Sequence, residues 1–367
     1  MTHRRTPAVR SAVLAAVLTA AAGAGLGGAG TPATADDTPG YSLRHISVDT
    51  LVGPGGDQPC TISADVYTPD GADRRHRKPA ILTTHGFGGD KADSNQAAIG
   101  RGFAREGYVV LSYSGLGFGG SGCKIRLDDP AWDGKAGSQV LDVLAGTRAF
   151  TDTETGESGR LRTVAREKKG DPRVGMIGGS YGGQIQYAVA MQDPRVDALV
   201  PLVTWNDLEY SLAPNNTDLA GGVQTATPGV AKKLWTDLFF GAGIIDGVDD
   251  AQVDPTRNVG CPNFADEVCP TALKLNTLGY PDADMRAIAE RSSVAHYLDD
   301  ITVPTLLVQG QKDTLFNLQE AVATYRGLKR RGTTVKMVWQ SWGHSGGTPA
   351  PGEIDFGAES LRDSYLG

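Results

Sequence analysis

Ser180 sits at the centre of Gly178-Gly179-Ser180-Tyr181-Gly182, a match to G-x-S-x-G. That spacing suits one chemistry. A strand turns sharply into a helix, the serine rides on the tip of the turn, and the flanking glycines let strand and helix pass closely. The apolar run Val174 to Ile177 precedes it, and the helix-compatible run Gln184 to Met191 follows. In a chain with 49 glycines, the competing reading is a glycine-rich loop that matches by chance. A serine hydroxyl attacks a carbonyl at neutral pH only with a histidine base, which in turn needs a carboxylate to orient it. Asp313 and His344 meet both needs in the chain order Ser, Asp, His, each just past a strand-like run. The alternative for Asp313 is a loop aspartate that caps the next helix. Of six histidines, His344 alone lies beyond Asp313. The oxyanion of a tetrahedral intermediate needs two donors. The expected pair is the N–H of Tyr181, directly after the serine, and the N–H of Phe87 in His85-Gly86-Phe87-Gly88.

These residues need a scaffold that brings distant loops to one rim. Tyr41 to Thr50 and Thr61 to Thr68 read as antiparallel strands around the turn Gly53 to Asp57. Pro79 to Thr84, Tyr108 to Tyr113, Val174 to Ile177 and Ala198 to Thr204 read as buried strands. Helices are predicted at Asn95 to Glu106, Lys135 to Phe150 and after Ser180. The alternation of strand and helix implies an α/β fold with a mostly parallel sheet flanked by helices. Functional loops then lie at the carboxyl ends of the strands. The rhythm stalls at 205–300, read as a mostly helical cap insertion, and resumes with the strand Thr305 to Gln309, the helix Leu318 to Arg331 and the strand Thr334 to Trp339. The domain reading is therefore a core of 36–204 with 301–367, and a cap of 205–300. Trp205, Tyr210 and Trp235 in the cap are candidate substrate contacts, with core packing as the alternative.

Residues 1–35 read as an export signal: Arg4, Arg5 and Arg10, an apolar segment Ala12 to Leu26, then Ala33-Thr34-Ala35 before the cleavage point. The expectation is a secreted protein with no stable membrane span after cleavage, with a transmembrane anchor as the competing reading. The chain carries −7, and −10 from residue 36 onward, which argues against nucleic acid as a partner. Four cysteines in an exported chain favour two disulfides, with three possible pairings. Cys261–Cys269 closes a short local loop and is the preferred pair, which leaves Cys60–Cys123. No metal-ligand spacing accompanies them. Gly115-x-Gly117-x-x-Gly120 imitates a dinucleotide fingerprint, but no helix or correctly placed acid follows, so no cofactor is expected. Asp246, Asp249, Asp250 and Asp254 do not have calcium-loop spacing and read as a solvated turn. The run Arg74 to Lys78 reads as a solvated basic loop, with a binding patch as the alternative.

The elbow Gly178 to Gly183, the glycine loop 115–122 and the run Tyr297-Leu298-Asp299-Asp300-Ile301-Thr302-Val303-Pro304 into Asp313 resemble the Xaa-Pro dipeptidyl-peptidase and cocaine-esterase group of α/β-hydrolases. The resemblance spans about residues 41–345. It implies the α/β-hydrolase fold with a helical cap, and acyl-serine chemistry on a small ester or short peptide. Many members place a tyrosine in the oxyanion loop where this chain has Phe87. Members also continue into a C-terminal jelly roll. Here 23 residues follow His344, with a short helix predicted around Ala358 to Leu366. A dipeptidyl-peptidase needs a carboxylate for the substrate amine, for which Asp207 and Glu209 are candidates. The alternative to an enzyme is a non-catalytic relative that acts as a binding protein.

Overall fold

The computed structural model describes residues 40–215 and 227–355. The expected export signal and the helix expected around 358–366 lie outside the described residues.

Strands β1 (Tyr41–Val52) and β2 (Gln58–Pro69) form the expected antiparallel hairpin, in register from Tyr41↔Pro69 to Val52↔Gln58. β3 (Ala80–Thr84) leads to α1 (Ser94–Arg105), which starts where the Asp93 carboxylate accepts the Gln96 N–H. β4 (Val109–Tyr113) follows, buried along its whole length. After a π-helical turn at Pro130–Gly134 comes α2 (Lys135–Leu144). The sequence extends this helix to Phe150, but the chain breaks it at Gly146, which sits at φ 68°. Phe150 instead opens β5 (Phe150–Asp152), which pairs with β1 and with the two-residue β6 (Ser158–Gly159). A small hairpin, β7 (Arg166–Lys168) and β8 (Asp171–Pro172), precedes β9 (Val174–Gly179), α3 (Tyr181–Gln192) and β10 (Ala198–Leu202).

Between β10 and β11 lie α4 (Leu208–Leu212), α5 (Lys233–Asp249), α6 (Val268–Leu278) and α7 (Ala283–Arg291). β11 (Thr305–Gly310), α8 (Leu318–Arg331) and β12 (Val335–Gln340) complete the order. The ten-stranded sheet runs β12-β11-β10-β9-β3-β4-β2-β1-β5-β6. From β12 to β4 neighbours are parallel, and from β4 to β6 antiparallel. The parallel strands read as apolar runs because helices cover both faces of that half. This is the α/β-hydrolase arrangement.

The disulfides are Cys60–Cys123 and Cys261–Cys269. The first ties β2 to the glycine loop after β4. The segment 254–263 grips the same loop from the other side. The Asp254 carboxylate accepts the Cys123 N–H at 2.9 Å, and the fully buried Arg257 donates to the carbonyls of Gly117, Gly119 and Ser121. Asp246 is not on a solvated turn. It lies within α5, and burial pushes its carboxyl up to about 7. Arg74 and Arg75 are exposed, as the sequence implies. Among the described residues, no helix is long and apolar enough to cross a membrane.

α8 also anchors the start of the insertion. The Glu320 carboxylate accepts the N–H groups of Asn206 (2.8 Å) and Asp207 (3.1 Å) and the Ser211 hydroxyl (2.6 Å). Burial pushes its pKa from 4.5 up to about 8, against these three donors, which favour the charged form. The folded state therefore holds a proton that the unfolded chain has released. The stability this contributes is fully present below pH 4.5 and is lost as pH rises through 8. Glu320→Gln keeps the shape and removes the titration. Thermal melts from pH 5 to pH 9 should show the variant gaining on the wild type as pH rises. A pH-independent gap would contradict this reading.

Candidate active site

The site starts from the strained turn at Ser180. Its backbone sits at φ 57°, ψ −120°, between the end of β9 and the first residue of α3. A non-glycine residue there costs of the order of 1–3 kcal/mol and persists only when its surroundings hold it. Here the Ser180 N–H donates to Leu202 O at 2.9 Å, and its carbonyl accepts the Thr204 hydroxyl at 2.8 Å. The turn also brings α3 against β3. A Cβ on Gly182 would lie 2.1 Å from Thr84 O, so that position takes no side chain.

Asp313 follows β11 and His344 follows β12, neighbouring parallel strands paired from Thr305↔Val335 to Gly310↔Gln340. The two loops therefore leave the sheet side by side. His344 Nδ1 lies 2.7 Å from Asp313 Oδ2, and His344 Nε2 lies 2.8 Å from Ser180 Oγ. Asp313 Oδ1 accepts the N–H groups of Leu315 (3.0 Å) and Phe316 (2.8 Å). With Oδ1 thus occupied, Oδ2 faces the imidazole. The structure brings all three side chains together, across 133 residues of sequence between Ser180 and Asp313 and 31 between Asp313 and His344. The Asp313 carboxylate thus also turns the local backbone, but it does not cap the next helix, where Asn317 accepts the Gln319 N–H.

Phe87 and Tyr181 sit beside the serine with their rings 5.5 Å apart at 83°. Neither backbone N–H donates to an acceptor among the described residues. The Phe87 ring also meets Phe118 (5.0 Å) and Phe239 (5.3 Å), so it is fixed from several sides. The Tyr181 hydroxyl points away from Ser180 and accepts the Asp128 N–H at 3.1 Å. Burial pushes its pKa well above 10.

His85 holds the two loops in register, a role the sequence reading does not assign. It is fully buried, its Nε2 accepts the Gly115 N–H at 2.9 Å, and its Nδ1 lies 2.7 Å from Gly86 O. One ring nitrogen accepts and the other donates, so the ring is neutral with its proton on Nδ1. Burial lowers its pKa in the same sense. The histidine at the end of a strand, before a glycine, is the only local signal for it.

A cavity partly open to solvent begins at Ser180 and runs beneath the insertion. Its walls include Phe87, Trp205, Phe239, Phe264, Leu275 and Ile288. Of the cap aromatics singled out above, Trp205 lines it and Tyr210 and Trp235 do not. Trp205 Nε1 donates to Ser292 O at 2.7 Å. The Tyr210 hydroxyl accepts from Asn317 Nδ2 at 3.4 Å. The Trp235 ring instead lies edge-on to the His344 imidazole at 6.3 Å and stacks on Phe239. Two carboxylates reach the wall, Glu209 and Asp237. Glu209 pairs with Arg286 at 2.9 Å and Asp237 with Lys233 at 2.8 Å. Asp207 does not reach it; its carboxylate accepts the Tyr210 N–H at the start of α4. Among the described residues, no group of three or more His, Cys, Asp or Glu is placed to hold a metal ion.

The family profile described as X-Pro dipeptidyl-peptidase (S15 family) matches residues 56–346. No curated protein matches the chain. Among solved structures, the chain is similar to a Pyrococcus horikoshii acylaminoacyl peptidase at 13% identity and TM-score 0.46, with 83% of this chain and 38% of that one covered. It thus spans little more than a third of that peptidase. It is also similar to a Pyrococcus furiosus esterase, at 13% identity and TM-score 0.47 over 86% of this chain and 88% of that one. An acetyl xylan esterase from Paenibacillus sp. R4 aligns at 15% identity and TM-score 0.47, over 84% and 81%.

Proposed function

Because the chain belongs to the X-Pro dipeptidyl-peptidase (S15) family, we propose that it is a serine hydrolase and that Ser180, His344 and Asp313 carry its acyl transfer. The observation behind this is the unbroken contact from Asp313 Oδ2 through His344 to Ser180 Oγ, 2.7 and 2.8 Å, at the mouth of an apolar cavity. Asp313 accepts the His344 Nδ1 proton, which leaves Nε2 as a base. Nε2 takes the hydroxyl proton as Ser180 Oγ attacks the substrate carbonyl. The N–H groups of Tyr181 and Phe87 stabilise the oxyanion. His344 then protonates the leaving group, and water enters by the same route to release the acid.

The substrate we favour is an ester whose acyl part is bulky and apolar. The cavity walls support this, since an apolar group gains by burial there. A free dipeptide amine would have to compete with Arg286 for Glu209 or with Lys233 for Asp237. We also propose that the protein is exported and that residues 36–204 and 301–367 form the catalytic core beneath the cap. The two disulfides support an oxidising destination.

A fluorophosphonate probe tests the nucleophile. It should label wild-type protein at Ser180 and leave Ser180→Ala unlabelled. Absence of labelling in folded wild type would overturn the assignment. A panel of p-nitrophenyl esters beside Xaa-Pro anilides tests the substrate class. Octanoyl esters should exceed acetyl esters in kcat/KM by at least tenfold, and a preference for the anilides would replace the ester reading.

A further inference from the structure

The fold joins two basic segments that are separate in the sequence. Residues 74–78 and 160–173 hold ten Lys and Arg against two acids, so the rest of the chain carries −15. The segments lie side by side. Lys78 N–H donates to Thr163 O at 2.8 Å, and Ala165 N–H donates to Lys78 O at 2.7 Å. Arg173 N–H in turn donates to Ala165 O at 2.9 Å. The strands β3 and β9 both start from this surface. Ser180 follows the far end of β9, six residues on, about 20 Å away.

Two of the ten cations are in ion pairs, Lys168 with Asp171 (3.6 Å) and Arg173 with Glu167 (2.7 Å). The other eight form none among the described residues. The centre is Arg77, Arg162 and Arg166. The Arg166 Nε is buried without a hydrogen-bond partner. Burial first, and then the charges of Arg77 and Arg162, hold the Arg166 pKa below its ordinary value. Like charges so crowded are unfavourable unless an anion joins them. Seven of the ten are arginines, whose planar forks match phosphate oxygens two at a time. The apolar residues of the segment, Leu161, Val164 and Pro172, are buried, so this surface offers no side chain to insert into a bilayer.

We propose that this pole, opposite the catalytic mouth, binds a linear polymer of phosphate groups. A bound polymer leaves the cavity free and holds the enzyme with Ser180 facing away. This does not depend on the catalytic reading.

The test is fluorescence-polarisation binding to labelled long-chain inorganic polyphosphate, with salt titrated from 50 to 300 mM. Wild type should bind with an affinity that falls as salt rises. Arg77→Gln, Arg162→Gln and Arg166→Gln combined should weaken binding at least tenfold. The log–log salt slope should shrink by about two, the value for three lost phosphate contacts on a single strand. A control triple on other surfaces, Lys233→Gln, Lys274→Gln and Lys312→Gln, should change affinity less than twofold. Because Arg166 is partly buried, Arg74→Gln, Arg77→Gln and Arg162→Gln form a second triple, and melting temperatures show that each variant folds. Equal loss in patch and control triples, equal binding to poly-glutamate, binding only to phosphatidylglycerol vesicles, or no binding at 50 mM salt would each overturn the proposal.

Discussion

Asp313→Asn should lower kcat on a p-nitrophenyl ester by about 10⁴-fold with little change in melting temperature. The side chain keeps its volume, and one oxygen still accepts the N–H groups of Leu315 and Phe316 at the Oδ1 position. The amide NH2 must then occupy the Oδ2 position, 2.7 Å from His344 Nδ1 and 3.3 Å from the His344 N–H. Two donors would face the new NH2. The imidazole relieves this by moving its proton to Nε2, so Nδ1 accepts. Nε2–H then points at Ser180 Oγ and cannot take the hydroxyl proton. Fluorophosphonate labelling should slow in parallel, since it needs the same base. A loss below tenfold would mean that Asp313 does not set the tautomer, and the proposed relay would fail.

Gly310→Ala should cost about 10²-fold in kcat while KM changes little. Gly310 ends β11, three residues before Asp313. A Cβ there would stand 1.9 Å from Trp342 O, a backbone atom of the loop that carries His344. The neighbouring Gly343 is tight as well, with a built Cβ 2.7 Å from Asp313 Cβ. The two loops approach each other through hydrogen atoms alone. A methyl group must push them apart by a large fraction of an ångström, and a 1 Å misplacement of reacting groups costs about 10²-fold. The overpacking itself should destabilise the protein by about 1–3 kcal/mol. Steady-state kinetics with a thermal melt separates the two effects. Full activity in a variant that merely melts earlier would show that the loops can part without disturbing the relay.

The candidate triad was legible because each member stands at the end of an apolar run, and the parallel half of the sheet makes such runs visible. The disulfide pairing followed from one short loop, which left the other two cysteines for each other. The helix expected to Phe150 ends early for a local reason, the left-handed turn at Gly146, and a tertiary one, since Phe150 opens β5, whose Thr151 and Asp152 pair with Ser47 and Ile46 of β1. Asp128 gives no warning in sequence. It is wholly buried at φ 62°, and burial pushes its carboxyl well above the usual range, yet Leu127-Asp128-Asp129 looks like any polar turn. Arg257 is hidden in the same way. Besides the nearby Asn263 side chain, its partners are backbone carbonyls about 140 residues earlier, and those have no sequence signature. The basic pole needed the fold as well, because neither segment alone is more than a charged loop.

The grip of Arg257 and Asp254 on the glycine loop bears on how the catalytic chamber opens. The loop is already pinned to β2 by cystine, so the roof over Ser180 is riveted at that end to the sheet. That end cannot lift, so any widening of the partly open mouth has to come from the helices farther from the rivet. Roof and floor, sharing that seam, should also melt as one cooperative unit.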